Sequence, residues 1–371
     1  MPFSLLVVLY FVISVIEIFE NSISKKVLAA IALFPAFFLT AFRDYTVGND
    51  TVTYLICYER IAHINSLFEA LSYDRMETGY VALSYYFSHI GLSFYQFQFI
   101  IAFFIYFSLY LFLVRYSKNI GISCLMFLTL RYMLGPMVVV RMYIVVAILL
   151  YSVPYIQLRK FPHFLFLVVL ATFFHKTALL FLPLYPLSIV KWSKEKILVA
   201  TCASAIIAFL GKTFFLYVTS KVGIYENYLD GAYFATTGKT SVIVRLAIDS
   251  ILAMFVLYTE WLYKKQFDVQ NIIEKNRISI QQINHTAILC ILCLDIIGLS
   301  NSIMGRISGY FTFSWLIIVP MVFSQIKNKA SSFVLFVPFA VFLIAYFETI
   351  LVLRQDWYNV IPYHFYFGSI F

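Results

Sequence analysis

Residues 94–114 read FYQFQFIIAFFIYFSLYLFLV, and from Phe94 to Val114 no residue carries a charge. Roughly 20 such residues, wound as a helix, cross about 30 Å of hydrocarbon while satisfying their own backbone. Stretches of this kind recur along the chain. Leu5–Phe19 and Val27–Phe42 come first, and Ile120–Leu134 and Met137–Gln157 follow, meeting at Gly135-Pro136. Further on come Ile197–Thr219, Val242–Tyr263, Ile283–Met304, Tyr310–Ser324 and Phe333–Leu353. Tyr80–Ile90, Phe164–Phe174 and Ala178–Val190 are shorter, as re-entrant or tilted segments would be. The composition agrees, with 62% hydrophobic residues against 12% charged. The expected fold is an all-α integral membrane protein. It is a polytopic bundle of about 11–12 transmembrane helices, forming one domain over residues 1–371. The N-terminal MPFSLLVVLYFV lacks a basic flank and a small-residue cleavage site, so it reads as an uncleaved first span.

Charge then orients the bundle. Fifteen of the 27 Lys and Arg fall in six short connections. These hold Lys25 and Lys26; Arg115 and Lys118; Arg159 and Lys160; Lys191, Lys194 and Lys196; Lys264, Lys265, Lys275 and Arg277; and Lys327 and Lys329. The positive-inside rule assigns them to the cytoplasm. The net charge of +9 is therefore a topology signal and not a sign of nucleic-acid binding. Both termini, the segment of about 43–78 and that of about 220–240 fall outside, and about 264–282 falls inside. The two outside segments mix aromatics with acids and hydroxyls, so they are expected to be folded. Single-cysteine labelling of intact cells with an impermeant reagent should reach position Ser66 and not position Gln270. The reverse would invert every assignment of side that follows.

Ionisable groups at membrane depth are costly, so those away from the cytoplasmic clusters are candidates for function. Arg43, Asp44, Asp50, Glu77, Arg131, Arg141, His175, Arg306, Glu348 and Arg354 all fall at the outer ends of spans. Arg131 and Arg141 flank the Gly135-Pro136 turn and are expected to reach one outward cavity. Arginines in such a cavity suit an anionic ligand, since guanidinium forks onto phosphate. In VGNDT a helix begins with Asp50 or Asn49 as its N-cap, or with Asp50 as a carboxylate presented on a rigid turn. Glu77 re-enters the membrane in METGY, as a solvated acid or as a general base. His175, in FFHKTA, lies between two short spans, as a hydrogen-bonded structural residue or as a catalytic one. Arg245 and Asp249, four apart, read as a self-neutralising pair, with Asp295 at mid-span and Arg245 its only candidate partner. Cys290 and Cys293 read as apolar packing, and Cys57 falls in the outside segment.

Taken in order, these motifs resemble the EpsG family of Wzy-type polysaccharide polymerases. The likeness runs from Arg43 through Val47-Gly48, Asp50-Thr51 and Tyr54, then Glu77-Thr78-Gly79-Tyr80. It continues with Arg141, although Met142 replaces the expected Gln, and with His175-Lys176-Thr177-Ala178, Arg306, Tyr310-Phe311 and Pro362-Tyr363-His364-Phe365. The resemblance implies an enzyme of the bacterial inner membrane working at the periplasmic face in O-antigen or capsule synthesis. Its substrates would be oligosaccharide repeats on undecaprenyl pyrophosphate, in a membrane-lipid setting. A chain-length regulator and a flippase would be compatible partners. The growing glycan would pass from its lipid pyrophosphate to the non-reducing end of the next repeat. It further implies Asp50, Glu77 and His175 as catalytic residues. Arg43, Arg141, Arg306 and Tyr310 would hold the pyrophosphate. With no acid cluster evident for a metal, transfer is expected to need no cofactor. Readings from other classes are a lipid-linked glycan flippase, a membrane O-acyltransferase with its His at the cytoplasmic side, and a purely structural membrane partner.

Overall fold

In the computed structural model, residues 2–20, 23–72, 76–222, 239–263, 277–300 and 302–367 are described. The helices in chain order are α1 (Pro2–Phe19), α2 (Lys25–Ala41), α3 (Thr51–Ala62), α4 (Leu67–Leu71), α5 (Thr78–His89) and α6 (Phe94–Tyr116). Then come α7 (Ile120–Thr129), α8 (Gly135–Val138), α9 (Val140–Leu150), α10 (Val153–Gln157), α11 (Phe161–Thr172) and α12 (Leu184–Leu187). The last are α13 (Lys194–Val222), α14 (Lys239–Leu262), α15 (Ile280–Gly298), α16 (Ser302–Ile307), α17 (Phe313–Gln325) and α18 (Lys329–Leu353). The protein is an all-α, multi-pass membrane protein. Among the described residues 6 helices are long and apolar enough to cross a membrane, or up to 7 if the bent pair Gly305–Phe311 and Phe313–Gln325 is one span. The remaining expected spans are shorter or broken. Ile120–Thr129 ends at the turn around Arg131, and the Phe164–Phe174 and Ala178–Val190 stretches become short helices on either side of His175. The expected loops of about 220–240 and 264–282 lie largely outside the described residues.

Contacts group the chain into two compact units. The first comprises residues 1–155, 162–179 and 319–371. In it α1 packs on α7 and α18, and α2 packs on α6. Small residues permit the closest approach, because a Cβ on Gly121 would lie 2.2 Å from the Ser14 backbone nitrogen. Glu17 of α1 accepts a hydrogen bond from the freed Gly121 N–H at 2.8 Å, supplying a partner that the start of a helix lacks. Lys25 Nζ donates to the Ser117 carbonyl at 2.9 Å, and Lys329 Nζ donates to the Phe19 carbonyl at 2.6 Å. Three of the cation clusters thus meet where α2 begins. Arg43 stands at its opposite end. The segment after Arg43 is folded, as expected, with α3 packed on α5.

The second unit comprises residues 156–161 and 180–318, in which α15 packs on α13 and α14. Arg245 of α14 pairs with Asp295 of α15 at 2.9 Å, and the Asp295 side chain is 0% exposed. The expected Arg245–Asp249 pair is therefore not the one formed. Asp249 is buried on the same helix as Arg245. Room for the Arg245 guanidinium comes from Gly305, where a Cβ would sit 2.0 Å from Arg245 Nη2. Cys290 and Cys293 lie within α15, in keeping with apolar packing. Cys57 is buried on α3.

Candidate active site

The first unit gathers three of the sequence candidates into one cluster. Glu77 immediately precedes α5, Arg141 opens α9, and His175 follows α11. Arg141 Nη1 is ion-paired with Glu77 Oε2, and His175 Nδ1 lies 3.9 Å from Glu77 Oε1. The Thr177 hydroxyl meets His175 Nδ1 at 2.7 Å. All three side chains keep partial exposure, so the cluster is reachable. A carboxylate, an imidazole and a guanidinium are thereby presented to one volume. The first two can take a proton, and the third can stabilise developing negative charge.

Backbone contacts place this cluster. The Gly79 N–H donates to the Phe173 carbonyl at 2.8 Å, which joins the start of α5 to the turn before His175. A Cβ on Gly79 would stand 2.7 Å from that carbonyl oxygen, so glycine is required for the approach. A similar device docks the VGNDT loop. Gly48 has φ +97°, and a Cβ there would lie 2.2 Å from the Met137 carbonyl oxygen. The Thr51 hydroxyl is 2.7 Å from the Val47 carbonyl and 3.1 Å from that of Met137. The loop thus seats on the Gly135–Val138 turn, just ahead of Arg141.

Tyr54, carried on the helix that this loop begins, completes the wall. The Arg141 guanidinium carbon lies 5.9 Å from the Tyr54 ring centroid. Burial raises the Tyr54 pKa, with Arg141 opposing, which keeps the phenol protonated. Beneath, Thr40, Arg43, Tyr54, Tyr80 and Gln98 line a pocket closed by Phe97 and Val140. Arg43 is 2% exposed, and no carboxylate pairs with it among the described residues. Its Nη1 donates to the Thr40 carbonyl. Burial pushes the guanidinium down to about 10, opposed by tyrosines of which Tyr363 acts most strongly. It remains cationic at neutral pH. Gln98 Nε2 bridges the Ala41 and Arg43 carbonyls at 3.1 and 3.0 Å, holding the turn in which Arg43 stands.

The C-terminal tail straps the same region. Arg43 and Phe365 form an antiparallel bridge, and the Asp44 N–H donates to the His364 carbonyl at 2.9 Å. The Gly48 N–H donates to the Asn359 carbonyl at 2.9 Å, and Asn49 Nδ2 to the Trp357 carbonyl at 3.0 Å. The Tyr363 hydroxyl donates to the Leu39 carbonyl. The Pro362–Phe365 motif is therefore placed against the Arg43 motif.

Not every candidate joins the cluster. Asp50 occupies the expected N-cap position of α3, but its exposed side chain makes no capping hydrogen bond. Arg131 and Arg141 have separate partners instead of one cavity. Arg131 lies among Tyr346, Trp357 and Tyr358, with ring centroids 5.3, 5.3 and 5.6 Å away. Arg306 belongs to the second unit and is exposed at the end of α16, directly after Gly305. Tyr310 is in that unit too, only 1% exposed. Tyr54 and Thr177 stand inside the sequence motifs yet were not among the candidates. Their polar contacts depend on pairings across the fold that linear spacing does not reveal.

No curated protein and no solved structure matches this chain. A family model does match, that of the EpsG family, over residues 26–365. Those bounds contain every motif from Arg43 to Phe365 and each residue of the Glu77–Arg141–His175 cluster. The chain belongs to the EpsG family and is a membrane protein of polysaccharide biosynthesis.

Proposed function

We propose that the chain is a polysaccharide polymerase of the bacterial inner membrane, acting at the periplasmic face on repeats carried by undecaprenyl pyrophosphate. The observation that carries this is the Glu77–Arg141–His175 cluster. It combines proton acceptors with a guanidinium in side chains that all keep partial exposure. In the reaction, a hydroxyl at the non-reducing end of the acceptor repeat attacks the anomeric carbon of the donor chain. The new glycosidic bond forms as the bond to pyrophosphate breaks. The hydroxyl proton passes to Glu77 or His175, and the electron pair leaves with undecaprenyl pyrophosphate. A sugar hydroxyl is a weak nucleophile, so a positioned base contributes about 10²–10⁴-fold. The cationic groups Arg43 and Arg141 favour the departing pyrophosphate by charge and by fork geometry. Asp50, exposed on the docked loop, serves to position the acceptor.

Deleting the chain from a producing strain should remove the long-chain ladder while single repeats still reach the surface lipid or accumulate on their carrier. Expression of the intact chain should restore the ladder. Loss of single repeats as well would favour a flippase. Unchanged polymer with altered acylation would favour an acyltransferase.

A further inference from the structure

Two residues of the His175 motif are tied to each other. His175 follows α11, and a 3-10 helix over Lys176–Phe181 begins directly behind it. The Ala178 N–H donates to the His175 carbonyl at 3.0 Å, a tight turn that returns residue 177 to the imidazole. Thr177 is 6% exposed, so its hydroxyl depends on the protein, not on bulk water, for hydrogen bonding. It meets His175 Nδ1 at 2.7 Å. Branching at the Thr177 Cβ restricts the side chain to few rotamers, which helps hold the hydroxyl in place.

Glu77 divides its two oxygens. Oε2 pairs with Arg141, and Oε1 stands 3.9 Å from the same Nδ1. Two oxygens, one of them on a carboxylate, therefore flank one ring nitrogen, and neither contact uses Nε2. In a neutral imidazole one nitrogen carries the proton and the other a lone pair. A lone pair on Nδ1 would face the carboxylate charge. A proton there donates to Thr177 Oγ1 and is attracted by Glu77. The surroundings select the Nδ1–H tautomer, which leaves the lone pair on Nε2. In a hydrolytic triad one carboxylate both orients the imidazole and balances its charge. Here the hydroxyl of Thr177 orients the ring and Glu77 balances the charge.

We propose that His175 Nε2 takes the proton of the acceptor hydroxyl, and that Thr177 is the positioning residue that fixes the tautomer this requires. The inference rests on the polymerase reading and divides its roles. The acceptor O–H bond breaks as its oxygen bonds the anomeric carbon. The proton goes to Nε2, and the electron pair of the broken C–O bond leaves with the pyrophosphate. Glu77 balances the imidazolium, so carboxylate and ring act as one base, and the ring afterwards releases its proton to water. The test has two arms. The full-length protein, labelled with nitrogen-15 in its histidines, is placed in lipid nanodiscs, and magnetic resonance reads the tautomer. Of the six histidines, His175 is identified by the signal lost in His175→Gln. It should show Nδ1–H in the unaltered chain and move to Nε2–H in Thr177→Val, which keeps the shape and removes the hydroxyl. In the producing strain, at matched membrane levels, ladder growth should slow roughly tenfold in Thr177→Val, the loss of about one hydrogen bond. Thr177→Ser keeps the hydroxyl and should restore both the tautomer and most of the rate. Nε2–H or an imidazolium in the unaltered chain at neutral pH would overturn the proposal, whatever becomes of the variants. So would a Thr177→Val protein that slows without a change of tautomer, or that changes tautomer and polymerises at the full rate. If the unaltered chain supports no ladder, the polymerase reading fails, while the resonance arm still judges the hold of Thr177 on His175.

Discussion

Glu77→Gln is expected to lower polymer formation by about 10²–10⁴-fold, the range for removing a positioned base, with single repeats still made. The change keeps the size of the side chain and its capacity to hydrogen-bond, but removes the charge that pairs with Arg141. A structural role for the pair would also predict loss, because an unpartnered guanidinium is costly in a half-buried setting. The double variant Glu77→Gln/Arg141→Gln distinguishes the two explanations. It restores neutrality and permits an amide–amide hydrogen bond. If the pair only held helices together, the double variant should recover much of the activity that each single change loses. If the two groups act on substrate, it should remain inactive at a normal membrane level. Arg141→Lys is the companion measurement, since it retains charge and loses the planar fork. Severe loss there, with the protein still in the membrane, supports pyrophosphate recognition. Wild-type ladders from Glu77→Gln would remove the carboxylate from the mechanism and leave His175 as the base.

Sequence made the membrane class legible because lipid imposes one rule on every span: each must be apolar and satisfy its own backbone. Phe94–Val114 is predicted and observed as helix, extended to Tyr116 by its polar end. The same rule says little about where an apolar helix stops. Ile120–Leu134 reads as one span, yet the helix ends at Thr129, and Arg131 occupies a left-handed turn. Nothing in the periodicity of that stretch marks the break. Candidate site residues were legible where charge appeared in apolar surroundings, as for Glu77, Arg141 and His175. Partner choice was not. Arg245 is four residues from Asp249 along a helix, but it pairs across helices with Asp295 because Gly305 leaves space for its guanidinium. Arg131 and Arg141 flank one turn, yet aromatic rings take the first and a carboxylate the second. Such choices depend on which helices adjoin, and that information is not local.

Gly79→Ala should separate stability from activity. Alanine in a helix is favoured over glycine by about 1 kcal/mol, so on propensity alone α5 gains from the change. Contact argues the other way. The added Cβ would lie 2.7 Å from the Phe173 oxygen and 3.0 Å from its carbonyl carbon, both backbone atoms that no rotamer can move aside. The start of α5 must then draw back from the turn that carries His175, and the 2.8 Å bond from Gly79 N–H to Phe173 O lengthens. Glu77 lies two residues away, so its distance to His175 changes with that shift. A misplacement of about 1 Å among reacting groups can cost about 10²-fold in rate. The expected result is a protein that reaches the membrane at a normal level and melts close to the unaltered chain, yet builds at most short chains. Full-length ladders from Gly79→Ala would show that the approach of α5 to the His175 turn does not position the reaction. Inactivity with the protein lost from the membrane would make the approach a requirement of folding instead.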